Sequence, residues 1–285
     1  MTQTIPPYLQ GLQINFSQAT RRPDAGPNPR IPFEHCPLCE GKDIRLHRTA
    51  DCSGHPLYHP AISPTMNWMR CETCAHVFTD GYFSSETAAL VFGKVNQHQE
   101  PGWDMEEQRT VSSFIVDRVA QYMADGVWLD VGFGNGSLLF TAQEWGFTPV
   151  GVDLRQRSVE ALQKHGIEAH CVDIAEWDPP ERFSVVSLAD VLEHMPFPKR
   201  ALATVKRFLR PDGILFLSMP SFDCALWRKL DAENACSYWS ELEHFHNFSR
   251  PRLYALLAET GFKPLRFNVS YRYLIGMEVI ARAVG

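Results

Sequence analysis

The 285-residue chain is 45% hydrophobic and 21% charged, which suits one full α/β core with a smaller satellite and excludes a disordered or fibrous protein. Its formal net charge is −6, and residues 31–100 carry five Lys or Arg against eight Asp or Glu, so a nucleic-acid partner is disfavoured. No basic-then-apolar leader opens the sequence and no apolar run nears the roughly 20 residues of a bilayer span, so a cytoplasmic protein with no membrane partner is expected.

Residues 1–30 are polar, hold five prolines and read as an arm whose Tyr8, Leu9 and Phe16 dock on the body. Residues 31–80 carry the pairs Cys36-Pro37-Leu38-Cys39 and Cys71-Glu72-Thr73-Cys74, separated by 31 residues. In a reducing compartment such cysteines point to metal ligation or free thiols before disulfides. A Cys-x-x-Cys knuckle sets two thiolates on one side of a metal, with bonds of about 2.3 Å, and two knuckles complete a tetrahedral shell. Cys36, Cys39, Cys71 and Cys74 are therefore the expected ligands of a structural zinc ion in a zinc-ribbon module, with no open position for chemistry. The long gap predicts a loop projecting from the ribbon. His35, His47, His55, His59 and His76 crowd the same region and read as surface and core imidazoles. Residues 81–102 form a polar linker.

From residue 103 to the C-terminus, helices alternate with short apolar strands, the pattern of a doubly wound α/β sheet. A helix is predicted over 105–123 with Val111, Phe114, Ile115 and Val119 along one side. Further helices are predicted over 138–145, 202–209 and 253–259. Strands are predicted over 127–131, 149–153, 169–173, 183–189 and 214–219, and residues 265–283 read as an antiparallel pair. Pro211-Asp212-Gly213 marks a turn before the strand at 214.

The first of these strands runs into Asp130-Val131-Gly132-Phe133-Gly134-Asn135-Gly136-Ser137. Glycines here let the backbone turn tightly and approach a ligand. The third glycine stands at 136, where a dinucleotide fingerprint would place it at 137. Asp130, two places before the first glycine, would repel a pyrophosphate and attract a cationic amino group. Asp153 then closes the second strand, where a carboxylate can accept from both ribose hydroxyls. Asp173 closes the third and can accept from an adenine amino group. Three carboxylates at successive strand ends describe an elongated site for amino acid, ribose and base.

These features, with the run Asp190-Val191-Leu192-Glu193-His194 and the Pro211-Asp212-Gly213 turn, resemble the class I S-adenosylmethionine-dependent methyltransferases. The resemblance covers roughly residue 103 to the C-terminus and implies a Rossmann-like, seven-stranded sheet. It also implies S-adenosylmethionine lying across Gly132, Gly134 and Gly136 beside Asp130. Asp153 and Leu154 would hold the ribose, Asp173 and Ile174 the adenine, and Ala189 and Asp190 the methionyl end.

The cysteine module is similar to the N-terminal zinc modules of deoxysugar C-methyltransferases. The stretch Glu243-His244-Phe245-His246-Asn247-Phe248-Ser249 resembles a Glu-His-Phe-x-x-Phe-Ser run in those enzymes, in which the Glu-His pair serves proton abstraction. By that likeness His244 and Glu243 are candidate catalytic residues, and His194 a further one. A tyrosine that those enzymes carry two places before the glutamate is Glu241 here. Phe222, Trp227, Tyr238 and Trp239 read as an aromatic cap over a small or flat substrate, or as packing. The leading expectation is methyl transfer to a small-molecule acceptor. A sugar C-methyltransferase acting on a nucleotide-linked sugar, and an RNA or protein methyltransferase that uses the ribbon for recognition, stay open beside it.

Overall fold

The computed structural model describes residues 30–92, 97–273 and 275–285. The expected N-terminal arm, with Tyr8, Leu9 and Phe16, lies outside the described residues, as do residues 93–96 of the linker. The described chain starts with β1 (Arg30–Pro32), β2 (Ile44–Asp51), β3 (Thr65–Cys71), β4 (Val77–Thr79), β5 (Gly81–Phe83) and α1 (Ser85–Phe92). Strands β2, β3 and β4 form an antiparallel meander, and β1 pairs antiparallel with β5.

The helix expected over 105–123 is α2 (Met105–Ala120). Its buried side carries Ser112, Ile115, Val116 and Val119, whereas Phe114 is exposed and stacks on Tyr271 at 4.7 Å. There follow β6 (Gly126–Val131), α3 (Ser137–Glu144), β7 (Phe147–Asp153), α4 (Gln156–Lys164), β8 (Glu168–Cys171) and β9 (Phe183–Ala189). The chain continues with α5 (Pro198–Phe208), β10 (Leu209–Pro220), α6 (Ala225–Ala232) and β11 (His246–Asn247). Ser249 caps the next helix, α7 (Arg250–Glu259), by accepting from the Arg252 amide at 3.3 Å, with Pro251 in the first turn, where a missing N–H costs nothing. Strands β12 (Phe262–Val269) and β13 (Gly276–Ala283) complete the fold as the expected antiparallel pair.

The main sheet has seven strands in the order β12-β13-β10-β9-β6-β7-β8, with β13 antiparallel to both neighbours. Strands β6 and β9 are neighbours, and the chain winds outward from them in both directions. That makes the carboxyl ends of β6 and β9 the topological switch point, where open α/β sheets bind ligands. Strands β9 and β10 are buried nearly throughout, as expected of a sheet covered on both faces. The Pro211–Gly213 turn survives as an irregularity inside one long strand, with Asp212 at φ 60°.

The cysteine-bearing segment and the seven-stranded part share their cores. Strand β11, from the segment after β10, adds an edge strand to the meander in the order β11-β4-β3-β2. Cys36, Leu38, Cys71 and Phe78 pack in one cluster with Val186, Leu217 and Phe248. Another cluster joins Met66, Trp68 and Val77 to Trp227, Trp239, Leu242 and Phe245. The Trp68 indole donates to the Trp239 carbonyl at 2.8 Å, and the two rings meet edge-on at 5.7 Å. Trp227 and Trp239 therefore belong to this joint core, and Phe222 and Tyr238 pack against it half-buried.

Candidate functional site

The loop after β6 gathers the predicted glycines. Gly132, Gly134 and Gly136 all have positive φ (66°, 54° and 74°), and the Gly132 amide donates to the Val152 carbonyl at 2.7 Å. A Cβ on Gly132 would meet Val191 at 2.9 Å, and one on Gly136 would meet Leu162 at 2.9 Å. Nothing lies within 4 Å of a Cβ built on Gly134, so the middle of the loop faces open space. Tight packing on both sides of an open centre is what a backbone cradle for a ligand requires.

Asp130 lies on β6 next to this loop, 2% exposed, with its Oδ1 2.5 Å from the Ser187 hydroxyl. Burial pushes its carboxyl up to about 7, against the pull of that hydrogen bond and of Arg272. Asp153 is the last residue of β7 and is buried. Its carboxylate accepts from the Arg155 amide at 2.9 Å and from the Arg155 guanidinium at 2.8 and 2.7 Å. The guanidinium also donates to Gln99. Leu154 is 65% exposed. Strand β8 ends at Cys171, so Asp173 sits two residues beyond the strand end expected for it, exposed, with its Oδ1 accepting from the Ala175 amide at 2.8 Å. Ile174 beside it is buried in the main core. Ala189 ends β9, and Asp190 follows at φ 57°, paired with Arg272 at 3.3 Å and accepting from Ser218 at 3.0 Å.

Beyond Asp190 the chain turns through Leu192–His194. The Phe245 amide donates to the Glu193 carbonyl, which brings His194 and His244 together with ring centroids 4.7 Å apart. His194 Nδ1 lies 3.0 Å from the Glu243 carbonyl oxygen. A carbonyl only accepts, so Nδ1 carries the proton and Nε2 keeps its lone pair. Burial, then the nearby imidazoles, hold His244 well below the usual histidine range, so it is neutral at pH 7. Glu243 lies beside this pair, but no hydrogen bond joins its carboxylate to His244. Burial raises its carboxyl as well.

Glu193 is 1% exposed, and neither carboxylate oxygen has a hydrogen-bond partner among the described residues. Burial, with Asp190 nearby, lifts its carboxyl well above the usual range. Its place in the Asp190–His194 run was a usable signal. His55 comes from the β2–β3 connection and reaches Glu241 at 3.1 Å, so the loop expected to project folds inward instead. Nothing in the linear pattern announced that contact, or the Arg272–Asp190 pair.

The family model of the methyltransferase domain matches residues 105–266, more than half of the chain. The chain belongs to the methyltransferase domain family. The ubiquinone biosynthesis O-methyltransferase of Pasteurella multocida is 28% identical over 116 residues, 35% of this chain and 48% of that protein. That of Coxiella burnetii is 28% identical over 143 residues, 47% of this chain and 61% of that protein. The chain thus spans about half the length of the curated relatives it matches. The 1,6-didemethyltoxoflavin-N1-methyltransferase of Burkholderia thailandensis, solved with 1,6-didemethyltoxoflavin and S-adenosylhomocysteine, aligns with a TM-score of 0.54 at 21% identity. That alignment covers 74% of this chain and 96% of the other. Magnesium protoporphyrin IX methyltransferase from Synechocystis, solved with SAH, aligns at a TM-score of 0.50 and 19% identity over 62% of this chain and 83% of its own. Both likenesses show the fold, Rossmann-like with the seven-stranded sheet of class I methyltransferases.

The cysteine cluster lies against this methyltransferase domain. Cys36 Sγ is 3.7 Å from Cys74 Sγ, and Cys39 Sγ is 3.5 Å from Cys71 Sγ. All four sulfurs fall within 4.8 Å of one another. Four sulfurs at about 2.3 Å from a central zinc ion would stand about 3.8 Å apart, so the set fits that ion. The two knuckles share one hydrogen-bond scheme. Cys36 accepts from the Glu40 amide and donates to the Gly41 carbonyl, while Cys71 accepts from the Ala75 amide and donates to the His76 carbonyl. Glu40 and Ala75 occupy the same left-handed backbone region, at φ 61° and 59°. The Cys36 hydrogen bond draws the Cys74 thiol down to about 5, whereas burial pushes the Cys39 thiol up to about 11.

His76 and His246 lock the cysteine segment to the methyltransferase domain. His76 Nε2 lies 3.0 Å from His246 Nδ1, and His246 Nε2 lies 3.0 Å from the Met195 carbonyl. Both nitrogens of His246 are therefore engaged, and it has no free position for proton transfer. Among the described residues no helix is long and apolar enough to cross a membrane.

Proposed function

We propose that the chain transfers the methyl group of S-adenosylmethionine to a small-molecule acceptor, while Cys36, Cys39, Cys71 and Cys74 hold a structural zinc ion. The observation that carries the reading is the order of groups along the carboxyl ends of β6, β7 and β9. An open glycine cradle stands beside the buried Asp130 on β6, with Asp153 at the end of the neighbouring β7 on one side and Asp190 just past the end of β9 on the other. Asp130 is a buried acid with a counter-cation only at a distance, and the amino group of the cofactor would supply one. Bound there, S-adenosylmethionine supplies an electrophilic methyl group.

The remaining work falls to the residues of the chain. Asp153 would hold the ribose once the Arg155 guanidinium swings off its carboxylate. Asp173 and Ile174 would flank the adenine. Glu193, His194 and His244 would face the acceptor, and the neutral imidazole of His244 could take its proton. The joint aromatic core behind them keeps water from that side. The O- and N-methyltransferases named above act on small molecules, as their names state, which supports the same acceptor class here.

Calorimetry with S-adenosylmethionine tests the reading. Micromolar binding is expected, and Asp153→Ala should weaken it by about 2 kcal/mol, roughly 30-fold, through lost charge-assisted hydrogen bonds. Undiminished binding by the variant would remove the ribose assignment.

A second reading, a nucleotide-linked sugar as acceptor, is favoured by one feature beside the first knuckle. A cleft of about 310 Å³ opens there, lined by Phe33, Tyr82 and Phe197, by Lys199 and Arg200, and by Glu34 and Glu40. Its aromatic walls suit a base, its two cations a diphosphate and its two carboxylates the hydroxyls of a sugar. Saturable binding of a nucleoside diphosphate, lost in Lys199→Glu/Arg200→Glu, would move this reading to first place.

A further inference from the structure

We propose that Glu193, His194 and His244 form a second metal site, one that takes a divalent cation of the zinc or cobalt type with a coordination position open to the acceptor. The inference rests on the methyl-transfer reading for the identity of the donor, and it gives His244 a ligating role in place of the proton-accepting one. One ligand atom from each of the three residues lies within 4.8 Å of the others. Bonds of about 2.0–2.2 Å to imidazole nitrogen and carboxylate oxygen set neighbouring ligand atoms about 3.4 Å apart, so the set needs to draw in by no more than about 1.4 Å.

Three independent features point to a ligand. Glu193 is 1% exposed, yet both of its oxygens lack a partner among the described residues. A buried acid without hydrogen-bond partners is costly in either protonation form, and a cation relieves it directly by holding the carboxylate. His244 is 8% exposed, and its Nδ1 is likewise without a partner. His194 already has the arrangement of a ligating histidine. Its Nδ1–H is spent on the Glu243 carbonyl, which fixes the tautomer of the neutral ring and leaves the Nε2 lone pair for a cation.

The donor set differs in kind from the cysteine cluster. Four thiolates close a structural zinc shell, whereas two histidines and one glutamate are the donors of catalytic zinc sites that keep a fourth position for water or substrate. Glu193 and His194 follow Ala189 and Asp190 in the chain, the residues assigned to the methionyl end of the cofactor, which sets the site beside the transferred methyl group in the methyl-transfer reading. An acceptor suited to such a cation is a hydroxyl compound. Its oxygen binds the metal and loses its proton to solvent, because a bound cation lowers the pKa of a coordinated hydroxyl. An oxygen lone pair then forms the new O–C bond as the C–S bond breaks. The C–S electron pair stays on sulfur, giving a methyl ether and S-adenosylhomocysteine.

The test is a calorimetric titration of cobalt(II) into full-length protein whose cysteine site has been filled with zinc. One further equivalent is expected, with visible absorption free of the thiolate charge-transfer bands that cobalt at the cysteines would give. Even changes around the ligands of a metal site cost about 10–100-fold in affinity, so Glu193→Gln and His244→Ala should each cost about 100-fold or more. Both variants should bind S-adenosylhomocysteine as the wild type does, which certifies their fold. Absence of the second equivalent from the wild type overturns the proposal even if the variants fail to fold, and so does unchanged cobalt affinity in a folded Glu193→Gln variant. S-adenosylmethionine titrated into the same sample separates the two readings. Cofactor binding without the second metal removes the site alone, and the second metal without cofactor binding leaves the site standing and removes methyl transfer.

Discussion

Asp130 keeps only 2% of its surface in contact with solvent, and burial lifts its carboxyl from 3.8 to about 7. Between those values the folded chain holds a proton that the unfolded chain has released. The contribution of this group to stability is therefore complete below the lower value, declines as pH rises, and is gone above the upper one. A cationic amino group beside Asp130 prefers the ionised form. Cofactor affinity should accordingly increase between about pH 5.5 and about pH 7.5 in the wild type and stay flat in Asp130→Asn, as calorimetry at the two pH values would show. A wild type as flat as the variant would place the amino group elsewhere. For His244 the expectation is kinetic. With an accepted substrate, His244→Ala should lower turnover by roughly 10²–10⁴-fold and leave cofactor affinity unchanged. If cofactor affinity and thermal stability fell together, the role of His244 would be structural. Glu243→Gln should do less, since the Glu243 carboxylate makes no hydrogen bond to His244 and contributes only charge nearby.

The cysteine knuckles and β11 make one claim about elements. Because β11 extends the β2–β4 meander and Trp68 packs on Trp239, loss of the metal should be felt in the insertion after β10. Cys71→Ser is expected to lose zinc and to unfold in a single calorimetric transition. A loss of about 3 kcal/mol would lower that transition by roughly 6–12 °C. Two separate transitions, with the larger one unmoved, would mean independent modules. Most elements of the sheet were legible in the sequence, because parallel strands buried on both faces read as continuous apolar runs between helical periods. The glycine loop and the knuckles were legible for a related reason, since each needs fixed residue types at fixed spacing. Element ends were less so: Asp173 falls past the end of β8, and Phe114 leaves the buried side of α2 to meet Tyr271. Strand β11 has two residues and no periodicity, so only the partner edge of β4 defines it. Partner choice is tertiary, and for the same reason the contact of His55 with Glu241 could not be read from either segment alone.

Taken as a whole, the chain builds its site from both of its parts. The seven-stranded sheet supplies the glycine cradle, Asp130, Asp153 and Asp190. The cysteine-bearing part contributes His55 against Glu241, Phe92 beside His194 at 6.2 Å, and His76 locked to His246. The methyltransferase family model matches residues 105–266, so acceptor choice is expected to reside in the segments outside that range. A crystal structure of the complex with S-adenosylhomocysteine decides how cofactor and acceptor are ordered across this boundary. The ribose is expected on Asp153 with Arg155 displaced, the amino group towards Asp130, and the sulfur within about 8 Å of the His244 imidazole and facing Glu193 and His194. A sulfur farther from His244 than that, or facing away from Glu193 and His194, would contradict this order.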